Sequence, residues 1–268
     1  MGKFDGVLLV SDFDDTLYGT DQQISGEITR AIDYFIREGG TFTVATGRAH
    51  PTFARHAEKV SVNAPVILSN GSALFDFRTD KMVYETFLPE RVREDLQQVA
   101  KDFPSIGFEA YHQDNVYVYQ PNEVTRNHLN RAGAFPNEVP IEEIPLPWSK
   151  AILQQKNSIL LELQKYMLER WSEHYEVIFS NAVLLELTRK GSTKGGMVLR
   201  LAEQLGIQRE HIYCVGDNQN DIPMLAVSAI PFAPSNCARE VREWGARILG
   251  SCDESCVAQI VEILDGIY

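Results

Sequence analysis

Val7-Leu8-Leu9-Val10-Ser11-Asp12-Phe13-Asp14-Asp15-Thr16-Leu17 is the stretch on which the reading of this chain turns. Its aliphatic start, Val7 to Ser11, is too short for a helix and has the character of a strand buried on both faces in a parallel sheet. Ligands in open α/β sheets bind at the carboxyl ends of the strands. Asp12 and Asp14 therefore stand where chemistry is placed. Within a strand their side chains would point to opposite faces. Only a chain leaving the strand can aim both at one point, and Asp15-Thr16 marks such a departure. The plain alternative is an acidic strand-to-turn junction, because Asp is common in turns.

Three further pieces follow in a fixed order. Thr46-Gly47-Arg48 closes a second strand-like run, Thr41 to Ala45. Lys194 lies in Lys190-Gly191-Ser192-Thr193-Lys194-Gly195, ahead of a helical pattern. Gly216-Asp217-Asn218-Gln219-Asn220-Asp221 closes a third run, His211 to Val215. None decides anything singly. Placed together at strand ends and helix starts, they point to one site.

The set resembles the haloacid dehalogenase (HAD) superfamily of phosphoryl-transfer enzymes, with its Asp-x-Asp-x-Thr, Thr-Gly, Lys and Gly-Asp-x-x-Asn-Asp motifs. Ser69-Asn70-Gly71 and Lys194-Gly195 are similar to the Cof-type subgroup (type IIB), phosphatases with a large C2 cap between the second and third motifs. The resemblance implies an α/β fold. Its core would be HAD-like and Rossmannoid, a parallel sheet flanked by helices, with an inserted α+β cap domain. One departure is Asp15, where the family usually has Gly. Asp tolerates unusual backbone angles better than most residues, though less well than Gly.

The chemistry of the site can be argued from charge. A phosphate monoester repels a carboxylate nucleophile, so a site must supply positive charge, hydrogen-bond donors and in-line geometry. Asp12 is the candidate nucleophile, forming an aspartyl-phosphate. Asp14 is the candidate general acid and base. Mg²⁺ takes hard oxygen ligands, and the resemblance implies Asp12, the backbone carbonyl of Asp14, and Asp217. It gives phosphate binding to Phe13, Thr46, Gly47, Lys194 and Asn220. Asp221 would orient the metal shell, and Arg48, Asn70 and Gly71 would lie near the substrate. The bland reading of Asn220 is a helix cap, and that of Arg48 a solvated first-turn residue.

Composition bounds the alternatives. A chain of 268 residues with 44% hydrophobic and 23% charged residues is ordinary for a globular protein. The net charge of −12 argues against nucleic acid or an anionic membrane as the main partner. It does not exclude a phosphate ester, because a local lysine and Mg²⁺ invert the field. No apolar run has the length of a membrane span or the flanks of a signal peptide, so the expected location is cytoplasmic. A monomer or weak homodimer is expected. Cys214, Cys237, Cys252 and Cys256 show no metal-site spacing, and Cys214 reads as a small buried hydrophobe.

The organisation divides in three. Residues 1–80 alternate strands and helices, with helices at Ser25–Gly39 and Pro51–Lys59 and a third strand at Val66–Leu68. A hairpin over Ala73–Glu85 follows. Residues 86–187 lack the motif set. They read as a helix (Leu88–Phe103), a hairpin (Ile106–Val118), a proline-rich stretch, and further α and β segments. In that hairpin, Phe108, Ala110 and His112 are expected to alternate against Val116 and Val118, with the turn at Gln113-Asp114-Asn115. From residue 188 the βα alternation returns. The expected domains are a discontinuous core, 1–85 and 188–268, and a cap, 86–187. Cap residues would choose the leaving group, with Tyr111, His112, Tyr117 and Tyr119 as possible contacts. The leading reading is a Mg²⁺-dependent phosphatase of small phosphomonoesters, such as sugar phosphates or phosphorylated cofactors. The alternatives are a phosphomutase and a non-catalytic protein that binds a phospho-ligand.

Overall fold

A computed structural model describes residues 2–268. The chain opens with β1 (Leu8–Ser11), α1 (Gly26–Arg37), β2 (Thr41–Val44), α2 (His50–Ala57), β3 (Val66–Leu68), β4 (Ala73–Asp76) and β5 (Lys81–Glu85). The middle holds α3 (Val92–Asp102), β6 (Gly107–His112), β7 (Asn115–Tyr119), α4 (Glu123–Ala132), β8 (Asn137–Glu138), β9 (Lys150–Gln154), α5 (Asn157–Trp171), β10 (Tyr175–Asn181) and β11 (Leu184–Arg189). The last part is α6 (Lys194–Leu205), β12 (Ile212–Val215), α7 (Ile222–Leu225), β13 (Pro231–Ala233), α8 (Arg239–Trp244), β14 (Arg247–Ile248) and α9 (Cys256–Ile267).

Five strands form one parallel sheet in the order β14-β13-β12-β1-β2. Alternation along β1 explains its unbroken apolar sequence. Leu9 joins Ile28, Ile32 and Phe35 of α1 and Val257, Ile260 and Leu264 of α9. Leu8 and Val10 point the other way, to Met197, Val198 and Leu201 of α6. With helices on both faces, each buried aliphatic contributes about 2 kcal/mol. Ser25 caps α1 by accepting the Ile28 N–H at 3.1 Å. Gly206 ends α6 in the left-handed conformation. Beyond β2, a single parallel bridge, Ala45 to Ile67, joins β3, which carries β4 and β5 as an antiparallel extension.

The middle of the chain builds a separate sheet, ordered β10-β11-β9-β6-β7-β8 and antiparallel except for the β7–β8 pair. Helices α3 and α5 cover one face through Val92, Leu96, Val99, Leu160, Leu163 and Met167. The other face carries Tyr111, Val116, Val118, Ile152 and Leu184, packed with Leu129 of α4 and with Ala49 from the first part of the chain. No described helix is long and apolar enough to cross a membrane. The four cysteines are free thiols.

Several sequence expectations need correcting. Register pairs Phe108 with Tyr119 and Ala110 with Tyr117, while Glu109 pairs with Val118 and Tyr111 with Val116. Phe108 and Ala110 therefore lie on the opposite face from Val116 and Val118. Both faces are buried, so hydrophobic alternation could not assign them. Asn115 belongs to β7, and the turn is Gln113-Asp114. Helix α3 starts at Val92, not Leu88. The Leu88 N–H is taken by the Trp148 carbonyl at 2.8 Å, and Pro89 opens a turn closed by Val92 N–H. Strand β11 continues to Arg189, past residue 187. Strands β13 and β14 were not anticipated; they have three and two residues and the first is bounded by prolines.

Candidate active site

Strand β1 stops at Ser11, and the Asp12 N–H is held by the Val215 carbonyl of β12 at 2.9 Å. The chain then turns: the N–H groups of Leu17 and Tyr18 both return to the Phe13 carbonyl, at 3.1 and 2.7 Å. This turn departs from the strand as its sequence suggests. Asp15 adopts φ +58°, a left-handed conformation that an Asp tolerates and most residues do not. The Phe13 ring stacks on Tyr18 at 4.8 Å, so only the Phe13 backbone is free to face the site.

The ends of β1 and β12 and the start of α6 bring four charges together. Lys194 Nζ donates to Asp12 Oδ1 at 2.5 Å and to Asp221 Oδ1 at 2.6 Å. Asp221 Oδ2 accepts the N–H groups of Asp217 and Asn218 at 2.9 and 3.0 Å. Thr16 Oγ1 donates to Asp217 Oδ1 at 3.0 Å. Gly216 is required here, because a Cβ would lie 2.4 Å from the Asp221 carboxylate carbon. All four charged side chains are buried.

Carboxylate oxygens of Asp12, Asp217 and Asp221 lie within 4.8 Å of one another. Three carboxylates with one ammonium leave an excess of two negative charges in a buried space. The ionisation of the group shows that excess. Burial, and then the charge of Asp221, push the Asp12 carboxyl well up and the Asp217 carboxyl up to about 7. Lys194 opposes both. Burial alone would lower the Lys194 ammonium, but Asp12 and Asp221 outweigh it and raise it. Hard oxygen donors with an uncompensated charge of this size fit a divalent metal ion.

The second loop sits beside this cluster. Thr46 N–H pairs with the Ile67 carbonyl at 2.8 Å, and Thr46 Oγ1 accepts the Arg48 N–H at 3.1 Å, leaving its own O–H to donate. Ser69, Asn70 and Gly71 all have positive φ, so this turn is tightly wound. At Gly71 a Cβ would also lie 2.2 Å from the Thr193 carbonyl. That contact brings the turn against the residue that begins the Lys194 helix. Asn220 is not a helix cap. Asn218 takes that role by accepting the Gln219 N–H at 2.9 Å. Asn220 Nδ2 instead donates to Asn70 Oδ1 at 3.0 Å, across 150 residues. Asn70 Nδ2 and Asn220 Oδ1 are buried with no partner.

Arg48 is not solvated. Its guanidinium grips Asp14 with Nε at 2.9 Å from Oδ2 and Nη2 at 2.7 Å from Oδ1. Asp14 lies outside the three-carboxylate cluster, but Asp12, Asp14, Arg48, Asp217 and Asn220 all line one cleft of about 810 Å³. The opposite wall comes from the antiparallel domain: Tyr111, His128, Lys150, Ile152, Leu184 and Glu186.

A family model described as haloacid dehalogenase-like hydrolase matches residues 9–261. The chain belongs to that family. Two relatives in Bacillus subtilis are named 5-amino-6-(5-phospho-D-ribitylamino)uracil phosphatases. One is 25% identical, with 96% of this chain and 98% of the relative covered. The other is 26% identical, with 95% and 94% covered. A solved haloacid dehalogenase-like hydrolase from Bacteroides thetaiotaomicron superposes with TM-score 0.81 at 22% identity, covering 96% of this chain and 99% of that one. A solved HAD subclass IIB sugar phosphatase gives TM-score 0.85 at 20% identity, covering 98% and 100%. The protein is thus a Cof-type HAD hydrolase, a phosphoric monoester hydrolase by class.

The HAD hydrolase carries site-wall residues that the motif reading missed. Of the four expected cap contacts only Tyr111 lines the cleft. His112 Nδ1 lies 2.8 Å from the Pro147 carbonyl, and Tyr117 and Tyr119 pack toward the α3–α5 layer. Lys150, Glu186 and His128 were not singled out. The available signal was a charge inside an apolar strand: Lys150 opens Ala151-Ile152-Leu153, and Glu186 interrupts Leu184-Leu185-Leu187.

Proposed function

We propose that this HAD hydrolase is a Mg²⁺-dependent phosphatase of small phosphomonoesters, acting through an aspartyl-phosphate on Asp12. The observation that carries the reading is the cluster of Asp12, Asp217 and Asp221 around Lys194. Lys194 holds Asp12 Oδ1, which leaves Oδ2 to attack phosphorus. As the Asp12–phosphorus bond forms, the ester P–O bond breaks, and the leaving oxygen takes a proton from Asp14, which must release one prong of its Arg48 pair to carry that proton. Asp14 then takes a proton from water, whose oxygen bonds to phosphorus as the Asp12–phosphorus bond breaks, releasing inorganic phosphate and restoring the Asp12 carboxylate. Thr46 Oγ1, the N–H groups of Phe13 and Gly47, and Asn70 Nδ2, which Asn220 orients by donating to Asn70 Oδ1, would hold the phosphoryl oxygens. Asn70 Nδ2 is a buried donor without a partner and suits a phosphoryl oxygen, whereas the unpartnered Asn220 Oδ1 can only accept and would face a donor on the substrate or a water.

Asp12, the Asp14 carbonyl and Asp217 would hold the metal, and Asp221 would orient Lys194 and the Asp217 loop. Mg²⁺, when bound, supplies the positive charge that offsets the phosphoryl group and the nucleophile. A cleft of about 810 Å³ suits a small molecule. The relatives' ribityl phosphate and the neighbour's sugar support an alcohol component of polyol or sugar type. The segment 86–187 acts as the cap that closes over it and excludes water.

Phosphate release from a panel of sugar, polyol and nucleotide monoesters, with Mg²⁺ or with EDTA, tests this. Turnover that needs Mg²⁺ and disappears in Asp12→Asn is expected. Folded, Mg²⁺-binding protein that releases no phosphate from any ester would overturn it. In that case, isomerisation with a bisphosphate activator would reveal a mutase.

A further inference from the structure

Among the described residues, and away from the linker at 188–193, where Glu176 and Thr188 bond to Gly191 and Ser192, three side-chain hydrogen bonds join the antiparallel domain to the parallel one, and two of them are exposed. These are Arg55 to the Gly133 carbonyl at 3.0 Å, and His50 to Asp114 at 3.2 Å. Exposed contacts of this kind contribute little. The third is buried. Lys150, at the start of β9, is 2% exposed, and its Nζ donates to the Gly47 carbonyl at 2.8 Å. The same ammonium reaches Glu186 Oε2 at 3.2 Å and lies 4.6 Å from the centre of the Tyr111 ring. Glu186 and Tyr111 belong to the cap's own sheet, so they travel with Lys150. Only the Gly47 contact crosses to the other domain.

The acceptor is one end of a single peptide unit. Its oxygen, on Gly47, is held by the cap. Its N–H, on Arg48, is held by Thr46 Oγ1 at 3.1 Å. That unit lies directly between Gly47, whose N–H faces the phosphoryl position in the proposed reaction, and Arg48, which grips Asp14. A rotation of the unit would move all three residues of the loop. We infer that Lys150 is a positioning residue that docks the cap onto the Thr46-Gly47-Arg48 loop and completes the loop's geometry only when the cap is closed. The inference rests on the phosphatase reading of that loop.

The physical basis is the cost of a buried charge. With the cap seated, the ammonium has a carboxylate, a carbonyl and a ring face. With the cap displaced, it loses the carbonyl and regains water instead. The loop loses the one hydrogen bond that, among the described residues, it accepts from a side chain of the cap. Cap position and loop geometry are therefore one equilibrium, and a substrate that fills the cleft favours both together.

Lys150→Met keeps the aliphatic stem and removes the charge. Lys150→Arg keeps the charge. Lys150→Met with Glu186→Gln removes the carboxylate left unpaired in the first variant. Each is measured for kcat and KM on p-nitrophenyl phosphate, and for radius of gyration by X-ray scattering without ligand. Lys150→Met and the double variant should lose about 10- to 100-fold in kcat, the scale of an ångström-level misplacement. KM should change less, Lys150→Arg should recover much of the loss, and the Met variants should scatter as more open molecules. Unchanged kcat in the double variant overturns the proposal. So does a loss that Arg does not rescue in a molecule as compact as the wild type, which would mark Lys150 as packing only. If the wild type hydrolyses no ester, the phosphatase reading fails by itself. Scattering then decides the docking role: equal radii for wild type and Met variants overturn it. If Lys150→Met does not fold, Lys150→Gln takes its place in the same measurements.

Discussion

Arg48 and Asp14 form a two-pronged ion pair, 2.9 and 2.7 Å, between the loops that follow β2 and β1. The guanidinium also lies 5.3 Å from the centre of the Phe13 ring, so it spans the turn that carries both candidate catalytic carboxylates. A planar fork fixes a carboxylate in direction as well as distance. Arg48→Met should leave Asp14 free to rotate, with a fall in kcat of roughly 10- to 100-fold, within the range given by a positioned acid. Arg48→Lys should fall between, since one ammonium cannot make both prongs. Steady-state rates for the two variants, beside Asp14→Asn as the floor, check the ordering.

The raised Asp12 and Asp217 carboxyls predict how pH couples to the metal. A carboxyl at about 7 in the folded protein, against 3.8 ordinarily, binds a proton on folding between those values. Its contribution to stability is therefore present at low pH and lost as pH rises towards about 7. A divalent ion competes for the same oxygens and reverses the loss. The rise in Tm on adding MgCl₂ should be small at pH 5.5 and larger at pH 8, and Asp217→Asn should flatten the difference. Equal shifts at both pH values would contradict it.

Asp15 occupies a backbone conformation that glycine adopts freely, with φ +58°. Burial, and then the charges of Asp14 and Asp253, also raise its carboxyl. Asp15→Gly relieves both effects but gives the unfolded chain more freedom. Stability should change by no more than about 1 kcal/mol, whereas the β-branched Asp15→Val should cost about 2 kcal/mol. Urea denaturation of both variants measures this.

A buried carboxylate in the antiparallel domain holds that domain's side of the cleft wall. Glu109 is fully buried and accepts from Tyr111 Oη at 2.7 Å, His128 Nδ1 at 2.8 Å and Gln154 Nε2 at 2.5 Å. Burial alone would raise this carboxyl, but His128, Tyr111 and Gln154 together hold it below its ordinary range. Glu109→Ala leaves three polar groups without their acceptor and should cost about 3 kcal/mol at pH 7. That stability is present above about pH 4.5 and is lost as pH falls below it. Thermal melts of the variant across pH 3 to 7 should differ from the wild type by a constant amount above about pH 5 and draw closer to it only below about pH 4.5.

What the sequence revealed follows from where its information lies. Asp12, Asp14, Thr46, Asp217 and Asp221 sit at strand ends or just beyond them, and local pattern is enough to find strand ends. Lys194 begins a helix with a legible cap and a glycine stop. The cap's contribution was hidden for a different reason. Lys150 meets Glu186 only because β9 pairs with β11, and it meets Gly47 only because one sheet faces another loop. Register and docking depend on pairings between distant segments, which a single sequence does not state. Tyr117 and Tyr111 look alike as letters and differ only in which face of β6–β7 they occupy. The Asn70–Asn220 bond is another case: both residues were singled out, but nothing local joins them.

Strand β1 lies between β2, which follows it within 30 residues, and β12, which begins at Ile212. During synthesis, then, one edge of β1 waits unpaired until most of the chain has left the ribosome. The antiparallel domain is complete by Arg189 and has its own apolar layer, so it can settle before its host does. Lys194, Asp217 and Asp221 emerge only afterwards. A nascent chain therefore exposes Asp12 with no counter-charge beside it, and a truncated product ending before residue 194 would lack three of the four charges that define the site.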